Sequence, residues 1–289
     1  MTTEQTRPPV AWVQHTTRSK WLTRLLRPRQ PAVLVISLPR SGSSWAGEAL
    51  GCAIDALYLR EPVTQSDHTF YDLGTVFAID TPDLDARYQR PANKAYAGWP
   101  DFVERSIVRF PEQWALSQRR SRRVVIKEVN PLACDWYIQH YAPRIVFLVR
   151  HPGAVALSWQ RNGWLGADAE SWAKNGEVQG HALREAVHAL EKYAAQRIVV
   201  YEELCADPIK LFRPLFDFAG LTWETKAEQF ISERTRKDDG SNTWNTSRNS
   251  QEMIHGWRKH AVQAHVTALR KTFREFDLPW YREDEDWMV

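Results

Sequence analysis

Continuous apolar runs, separated by polar turns and helix-like segments, are the feature that most constrains the fold of this 289-residue chain. Strands that are covered on both faces have this continuous apolar character, and their alternation with helices is typical of a parallel sheet. The runs, in chain order, are AVLVISL from Ala32, ALYL from Ala56, RRVVIKEV from Arg122, RIVFLV from Arg144 and RIVVYEEL from Arg197. The sequence therefore predicts an α/β fold in which a parallel sheet carries helices on both faces.

The predicted elements form a single domain over residues 31–289, preceded by an N-terminal tail or leading helix over residues 1–30. Residues 62–120 are irregular and rich in Asp, Pro and aromatic side chains, so they are interpreted as an insertion that forms a pocket wall. Ser43 or Ser44 is expected to cap the first helix. Further helices are predicted from Leu132 to Tyr141, from Pro152, from Ser171 to Ala195 and up to Gly220, which ends the last of them.

Composition restricts the classes of partner and compartment. Hydrophobic residues make up 43% and charged residues 25% of the chain, and the net charge is only +3. A balance this weakly basic does not indicate a nucleic acid partner, but it is compatible with a small polyanionic ligand. No apolar stretch approaches the length of a membrane span. Cys52, Cys134 and Cys205 include no CxxC pair, so neither a disulfide framework nor a zinc site is predicted, and a cytoplasmic location is expected.

The turn after the first apolar run has the composition of an anion-binding loop. Residues 34–45 read LVISLPRSGSSW, in which a buried strand ends on an arginine, a glycine and three serines. The N-terminus of the following helix presents unpaired backbone N–H groups and the positive end of the helix dipole. Gly42 permits an unusual backbone angle, and Arg40 adds a permanent charge. Taken alone, an SGS sequence is also compatible with an ordinary strand–helix turn.

The loop differs from the phosphate-binding loop of ATP-dependent kinases, whose pattern is GxxxxGK[ST]. No glycine opens the motif here, and Ser43 occupies the position of the lysine. No aspartate-ended strand offers an obvious magnesium ligand, since the later strands end on Lys127, Arg150 and Tyr201-Glu202. A small-molecule kinase is therefore kept only as an alternative.

A second strand end repeats the pattern and makes a family resemblance specific. FLVRHPGAVALSW ends an apolar strand on Arg150 and places Ser158 about two helical turns later. PRSGSSW resembles the 5′-phosphosulfate loop of sulfotransferases, usually Pro-Lys/Arg-Ser-Gly-Thr/Ser-Thr/Ser-Trp/Leu, and the second segment resembles their 3′-phosphate motif. With RIVVYEELCADPIKLFRPLFDFAGL, which is similar to a later segment of the family, the resemblance covers most of residues 32–221. It is closest to the bacterial and tyrosylprotein-type branches and implies their P-loop-like fold.

The resemblance implies a donor, 3′-phosphoadenosine-5′-phosphosulfate (PAPS), and a set of residues that bind it, without a metal. The loop residues implied to hold the 5′-phosphosulfate are Arg40, Ser41, Gly42, Ser43 and Ser44. Trp45 belongs to the same donor-binding set, and its expected role is to pack behind the loop. Arg150 and Ser158 are implied to hold the 3′-phosphate, a group suited to a guanidinium and a hydroxyl. Tyr201 matches a tyrosine near the adenine, and Arg248 lies in a basic segment that closes over the donor in relatives.

The resemblance also implies the catalytic residues. Sulfuryl transfer is an in-line displacement in which positioning and electrostatics dominate, and Arg40 and Lys127 are implied to stabilise its charge. Cytosolic aryl and steroid sulfotransferases carry a histidine base after the lysine, whereas this chain reads Lys127-Glu128-Val129-Asn130. Glu61 in LYLREP is therefore implied as the base, with a pKa that burial must raise and that Arg60 could keep low. Taken alone, Glu61 is also compatible with a carboxylate that only pairs with Arg60, and Glu128 and then His68 remain open as alternative bases.

The function predicted from these residues is transfer of a sulfuryl group to a hydroxyl, or an amine, of a small-molecule, carbohydrate or lipid acceptor. A non-catalytic nucleotide-binding module remains a further alternative. The acceptor site is expected within residues 62–120, whose aromatic residues include Phe70, Tyr71, Phe77, Tyr88, Tyr96 and Trp99. Nothing in the sequence indicates an oligomeric state.

Overall fold

The computed structural model describes residue 21 and residues 25–65, 74–98, 106–114, 118–236 and 254–289. Its centre is a five-stranded sheet in the order β2-β3-β1-β4-β5, in which every neighbouring pair is parallel. The strands are β1 (Val33–Ser37), β2 (Ala56–Arg60), β3 (Arg123–Glu128), β4 (Arg144–Val149) and β5 (Gln196–Val200). Because the strands are parallel, the segments that follow β1, β3 and β4 lie side by side at one edge of the sheet.

Helices cover both faces of this sheet. They are α1 (Ser43–Gly51), α2 (Pro82–Tyr96), α3 (Cys134–Tyr141), α4 (Pro152–Arg161), α5 (Ala169–Glu191), α6 (Tyr201–Ala206), α7 (Pro208–Ala219), α8 (Thr225–Arg236) and α9 (Gln263–Phe273). Short 3₁₀ segments add one turn each at Pro111–Trp114, Pro131–Ala133, Arg258–His260, Arg274–Phe276 and Glu285–Trp287. Within the described residues, no helix is long and apolar enough to cross a membrane.

Two apolar cores follow from the alternation of side chains along the strands. Leu34 and Ile36 of β1 face one core, which also contains buried residues of α2, α3, α4, α5 and α9. Val33 and Val35 face the other core, which contains buried residues of α1, α6, α7 and α8. Because side chains of a strand point alternately to opposite faces, a strand buried on both faces reads as a continuous apolar run. The predicted α/β fold is confirmed.

The predicted element boundaries are confirmed closely where a local signal marks them. β4 begins and ends as predicted, and α7 ends at Gly220, which adopts a left-handed φ of 64°. The long helix predicted from Ser171 begins two residues earlier in α5, because Asp168 caps it by accepting a 2.8 Å bond from the Ser171 N–H. The apolar run from Arg197 leaves the sheet sooner than its composition suggests, since Tyr201 already starts α6.

The region 62–120 contains more core than the sequence suggested. α2 buries Tyr88 and Tyr96 against α3, with Tyr88 edge-on to Trp136 at 5.0 Å and Tyr96 stacked on Tyr141 at 4.0 Å. The expectation that these two tyrosines line an acceptor surface is therefore wrong, because both rings fill the apolar core beneath it. Phe77 is half-buried, while Phe70, Tyr71 and Trp99 lie outside the described residues.

Candidate active site

The loop between β1 and α1 has the geometry of an anion site. Gly42 is the N-cap of α1 with a left-handed φ of 89°, and no side chain caps this helix among the described residues. The prediction that Ser43 or Ser44 caps α1 is wrong, because both residues lie within its first turn. Ser43 instead accepts a 2.8 Å hydrogen bond from the Ser37 hydroxyl. The first turn of α1 therefore keeps the character of an anion-binding helix N-terminus.

Arg40 joins this loop to the segment that follows β4. The Arg40 Nε donates a 2.8 Å hydrogen bond to the Ser158 hydroxyl on α4, although the two residues are 118 positions apart in the sequence. The Arg150 Nη1 donates a 2.9 Å bond to the Arg40 carbonyl. Arg40 has a positive φ of 71°, which non-glycine residues rarely adopt and which is often found at functional sites. The two sequence motifs thus form one site.

Tyr201 and Trp45 support the loop from behind. Tyr201 is buried, and the guanidinium carbon of Arg150 lies 4.5 Å from the centre of its ring. Trp45 packs edge-on against Tyr201 at 6.1 Å and against Phe212 at 5.2 Å. This is the packing role expected for Trp45. Ser41 is also buried, and its N–H donates a 3.2 Å bond to the Leu38 carbonyl, which closes the turn.

Gly42 is the position where the loop tolerates least change. A Cβ added at Gly42 would lie 2.3 Å from two ring carbons of Tyr201, and its left-handed φ disfavours any other residue. Gly42→Ala is therefore expected to weaken binding of adenosine 3′,5′-bisphosphate at least about tenfold, because the loop must shift away from Tyr201. Isothermal calorimetry measures this, with Gly74→Ala as the control, since Gly74 also has a positive φ but no atom of the described residues lies within 4 Å of an added Cβ. Equal affinities of the Gly42 variant and the parent protein would contradict the expectation.

Glu61 and Lys127 form an ion pair where β2 and β3 end. Lys127 is buried, and its Nζ contacts the Glu61 Oε1. Gln65 donates a 3.0 Å bond to the other carboxylate oxygen, and the Arg60 Nε lies 3.9 Å from Oε1. Like Arg40, Glu61 has a positive φ, in this case of 50°. The pair lies on the side of the sheet that faces α1, since a Cβ added at Gly47 would touch the Lys127 side chain at 3.0 Å.

The electrostatics of Glu61 differ from the expectation. Burial alone would raise the pKa of Glu61, as the sequence suggested, but the charge of Lys127, the hydrogen bonds from Gln65 and Lys127 and the charge of Arg60 together lower the pKa to about 2. The expectation of a raised pKa is wrong in this state of the protein. Burial, by contrast, raises the pKa of the neighbouring Glu128 to about 7.

Sequence reasoning missed a cluster that supports Arg150 from the C-terminal segment. Glu202 accepts a 3.1 Å bond from the His151 backbone N–H and a 2.8 Å bond from the Tyr281 hydroxyl. The His151 ring stacks on Trp257 at 4.6 Å, and burial followed by the charge of Arg258 lowers its pKa to about 3, so it is neutral. The histidine next to Arg150 and the tryptophans near the C-terminus were the available signals.

Trp159 is a further residue that the sequence did not single out. Its indole N–H donates a 3.0 Å bond to the Pro39 carbonyl and so fixes α4 against the loop between β1 and α1.

Two residues predicted from the sequence, Arg248 and His68, lie outside the described residues. Within the part of the chain that is described, no group of three or more His, Cys, Asp or Glu side chains is arranged to hold a metal ion.

Comparison with known proteins finds a family match that spans both sequence motifs. The model of the sulfotransferase family matches residues 31–225, which is more than half of the chain. Human carbohydrate sulfotransferase 3 is 27% identical over 172 residues, covering 51% of this chain and 34% of the human protein. The chain thus matches about one third of that relative's length.

A solved structure shares the fold at low sequence identity. The sulfotransferase domain of the Synechococcus PCC 7002 olefin synthase superposes with a TM-score of 0.50 at 17% identity, covering 88% of this chain and 97% of that domain. Mouse sulfotransferase SULT7A1, solved in complex with PAP, gives a TM-score of 0.44 at 14% identity over 92% of this chain and 91% of the mouse chain.

Proposed function

The chain belongs to the sulfotransferase family, and we propose that it transfers the sulfuryl group of PAPS to a hydroxyl, or an amine, of an acceptor by in-line displacement. One observation carries this proposal. Arg40 after β1 is hydrogen-bonded both to Ser158 of α4 and, through its carbonyl, to Arg150 after β4. One nucleotide with phosphate groups at two positions can therefore reach both strand ends.

The residues of the site fit such a donor. The N-terminus of α1, which no described side chain caps, suits the 5′-phosphosulfate together with Arg40 and the serines of the loop, because backbone N–H groups and a guanidinium bind anions. Arg150 and Ser158 suit the 3′-phosphate as a bidentate donor and a hydroxyl. We assign adenine binding to the neighbourhood of Tyr201 and to the segment that contains Arg248. The donor supplies an activated sulfuryl group and a phosphate leaving group.

In the proposed reaction, a Glu61 carboxylate oxygen accepts the proton of the acceptor hydroxyl. Lys127 and Arg40 stabilise the negative charge that develops on the leaving phosphate and the transferred group. The ion pair between Lys127 and Glu61 links these roles, because any movement of the Lys127 ammonium towards the leaving group weakens its interaction with Glu61. When Lys127 turns towards the donor, burial is expected to raise the pKa of Glu61 and make it a stronger base.

The pKa of the Glu61 carboxyl tests this exchange. In Lys127→Met, the pKa is expected to rise from about 2 to above its ordinary value of 4.5, because burial is then opposed only by Gln65 and Arg60. Adenosine 3′,5′-bisphosphate, the product that PAPS leaves after sulfuryl transfer, is expected to raise it in the parent protein as well. Carbon-detected NMR of the glutamate carboxyls, with Glu61→Gln for assignment, follows the titration. A Glu61 pKa that stays near 2 in Lys127→Met would contradict the proposed electrostatics.

A carbohydrate hydroxyl is the first acceptor to test, because the curated relative with 27% identity is a carbohydrate sulfotransferase. Small-molecule alcohols, phenols and lipid alcohols complete the set, and residues 62–120 remain the proposed acceptor side. The bacterial or tyrosylprotein-type branch and the cytoplasmic location stay predictions.

The experiment is transfer of ³⁵S from labelled PAPS to these acceptors, with Gly42→Ala as the impaired control. We expect labelled product with one acceptor class and without added ATP or magnesium. Product that forms only from labelled ATP would support the kinase alternative instead. Tight binding of adenosine 3′,5′-bisphosphate without turnover of any acceptor would support the non-catalytic alternative.

A further inference from the structure

Glu128 is a fully buried carboxylate at the end of β3. Its exposed fraction is 0%, and in the sheet it is paired in register with Ile36, whose side chain belongs to the apolar core. Its neighbour Lys127 points to the other face of the sheet, where it contacts Glu61. A charged group in such a place is costly unless hydrogen bonds satisfy it, so its partners indicate why it is there.

Both oxygens of this carboxylate bind the turn that follows β2. The Val63 N–H donates a 2.8 Å bond to Oε1, and the Thr64 hydroxyl donates a 2.6 Å bond to Oε2. The Glu61 N–H donates a third bond, of 2.6 Å, to the Lys127 carbonyl. Besides the ion pair between Glu61 and Lys127, the turn from Glu61 to Gln65 is thus attached to the end of β3 by these three hydrogen bonds, two of which are accepted by the Glu128 side chain.

The turn needs these attachments because of the conformation of Glu61. Its φ of 50° lies in the left-handed region, which a side chain with a Cβ rarely adopts unless the surroundings impose it. In this conformation the carboxylate of Glu61 points back to Lys127 and to Gln65. Without the bonds to Val63 and Thr64, the turn can relax and carry the carboxylate away from Lys127.

We propose that Glu128 is the positioning residue for the base: it holds the turn from Glu61 to Gln65 so that the Glu61 carboxylate lies against Lys127. This inference rests on the proposed function, in which Glu61 is the base. It also assigns Glu128 a role other than the alternative base considered from the sequence. Since Glu128 is fully buried and both of its oxygens accept bonds from the turn, it presents no surface to an acceptor hydroxyl.

Three variants separate positioning from base catalysis. Glu128→Gln keeps a carbonyl oxygen for the Val63 N–H and an amide that bonds the Thr64 hydroxyl, so we expect kcat to fall by less than about tenfold. Glu128→Leu removes both bonds, and we expect kcat to fall about a hundredfold, while the affinity for adenosine 3′,5′-bisphosphate changes less than about twofold. Thr64→Val removes one bond and is expected to lie between the two. If Gln lowered kcat as much as Leu did, Glu128 would be the base and the proposal would be wrong.

The pKa of Glu61 provides a readout that does not depend on turnover. Because its pKa is about 7, Glu128 is already neutral over the pH range in which Glu61 titrates, so loss of the Glu128 carboxyl would not by itself raise the Glu61 pKa. A rise is therefore expected only if the Glu61 carboxylate leaves Lys127. We expect the rise in Glu128→Leu and Thr64→Val but not in Glu128→Gln. Lys127 and Glu61 are the charged groups near Glu128 at the strand ends, and Tyr88, Tyr96 and Tyr137 face it from the helices with hydroxyls that burial keeps neutral.

The two levels of the proposal can fail separately. Normal turnover of Glu61→Gln would remove Glu61 as the base, whereas the NMR titration would still report whether Glu128 positions its carboxyl. An unchanged Glu61 pKa in Thr64→Val and Glu128→Leu would overturn the positioning role even if Glu61 proved to be the base. Thr64→Val removes a single hydroxyl near the surface of the turn, so it tests the inference even if Glu128→Leu does not fold.

Discussion

Glu61→Gln is expected to lower kcat by about 10²–10⁴-fold, the usual contribution of a general base. Glutamine keeps the shape of the side chain and its bond to Gln65 but cannot accept the acceptor's proton. The affinity for adenosine 3′,5′-bisphosphate is expected to stay within about threefold of that of the parent protein, because Glu61 lies at the ends of β2 and β3 rather than in the loop between β1 and α1. Initial rates at saturating labelled PAPS and calorimetry with adenosine 3′,5′-bisphosphate measure the two effects.

The matched control is Glu177→Gln, which removes one negative charge from the exposed surface of α5. It is expected to leave both quantities unchanged, since exposed charges far from a site interact weakly with it. If Glu61→Gln turned over like the Glu177 control, the base would have to be a residue other than Glu61. A parallel loss of kcat and of donor affinity would instead indicate that Glu61 supports the donor site.

Arg150→Ala is expected to weaken binding of adenosine 3′,5′-bisphosphate about a hundredfold or more. Arg150 is implied to donate two charge-assisted bonds to the 3′-phosphate, each worth about 1.5–3 kcal/mol. The substitution also removes the bond to the Arg40 carbonyl and the contact with the Tyr201 ring. Arg150→Lys, which keeps the charge but not the planar fork, is expected to recover part of the affinity.

Arg197→Ala provides the control for a lost arginine on a neighbouring strand. Arg197 is exposed on β5, where its guanidinium lies 4.9 Å from the centre of the Phe218 ring and donates a 2.9 Å bond to the Gln196 carbonyl rather than to the described residues of the loop between β1 and α1. Its replacement is expected to leave nucleotide binding unchanged. An Arg150 variant that bound the nucleotide like the Arg197 variant would rule out the 3′-phosphate role.

The parts of the fold that the sequence predicted are those with a local cause. β1, β3 and β4 are buried on both faces, so their apolar runs appear without interruption in the sequence. The loop from Pro39 to Ser44 and the segment from Arg150 to Ser158 were found as two separate motifs. Their contact through Arg40 follows from the adjacency of β1 and β4, which only the sheet order of the structure reveals.

The parts that were missed depend on contacts between distant segments. Glu61 meets Lys127 because β2 pairs with β3, in the register that places Arg60 opposite Lys127. Nothing near Glu61 in the sequence indicates that a buried ammonium will lower its pKa. The first helix was expected to have a serine cap, but the left-handed Gly42 occupies that position. The supporting roles of Glu202 and Tyr281 require the C-terminal segment to fold back behind Arg150.

The central claim, that the ends of β1 and β4 bind one nucleotide at two phosphate groups, is tested most directly by a calorimetric cycle. The parent protein and Arg150→Ala are each titrated with adenosine 3′,5′-bisphosphate and with adenosine 5′-monophosphate, which lacks the 3′-phosphate. We predict that the substitution weakens the bisphosphate about a hundredfold but the monophosphate no more than about threefold. Equal losses for both ligands, or no loss for either, would contradict the claim that Arg150 and the loop at Gly42 bind opposite ends of the same molecule.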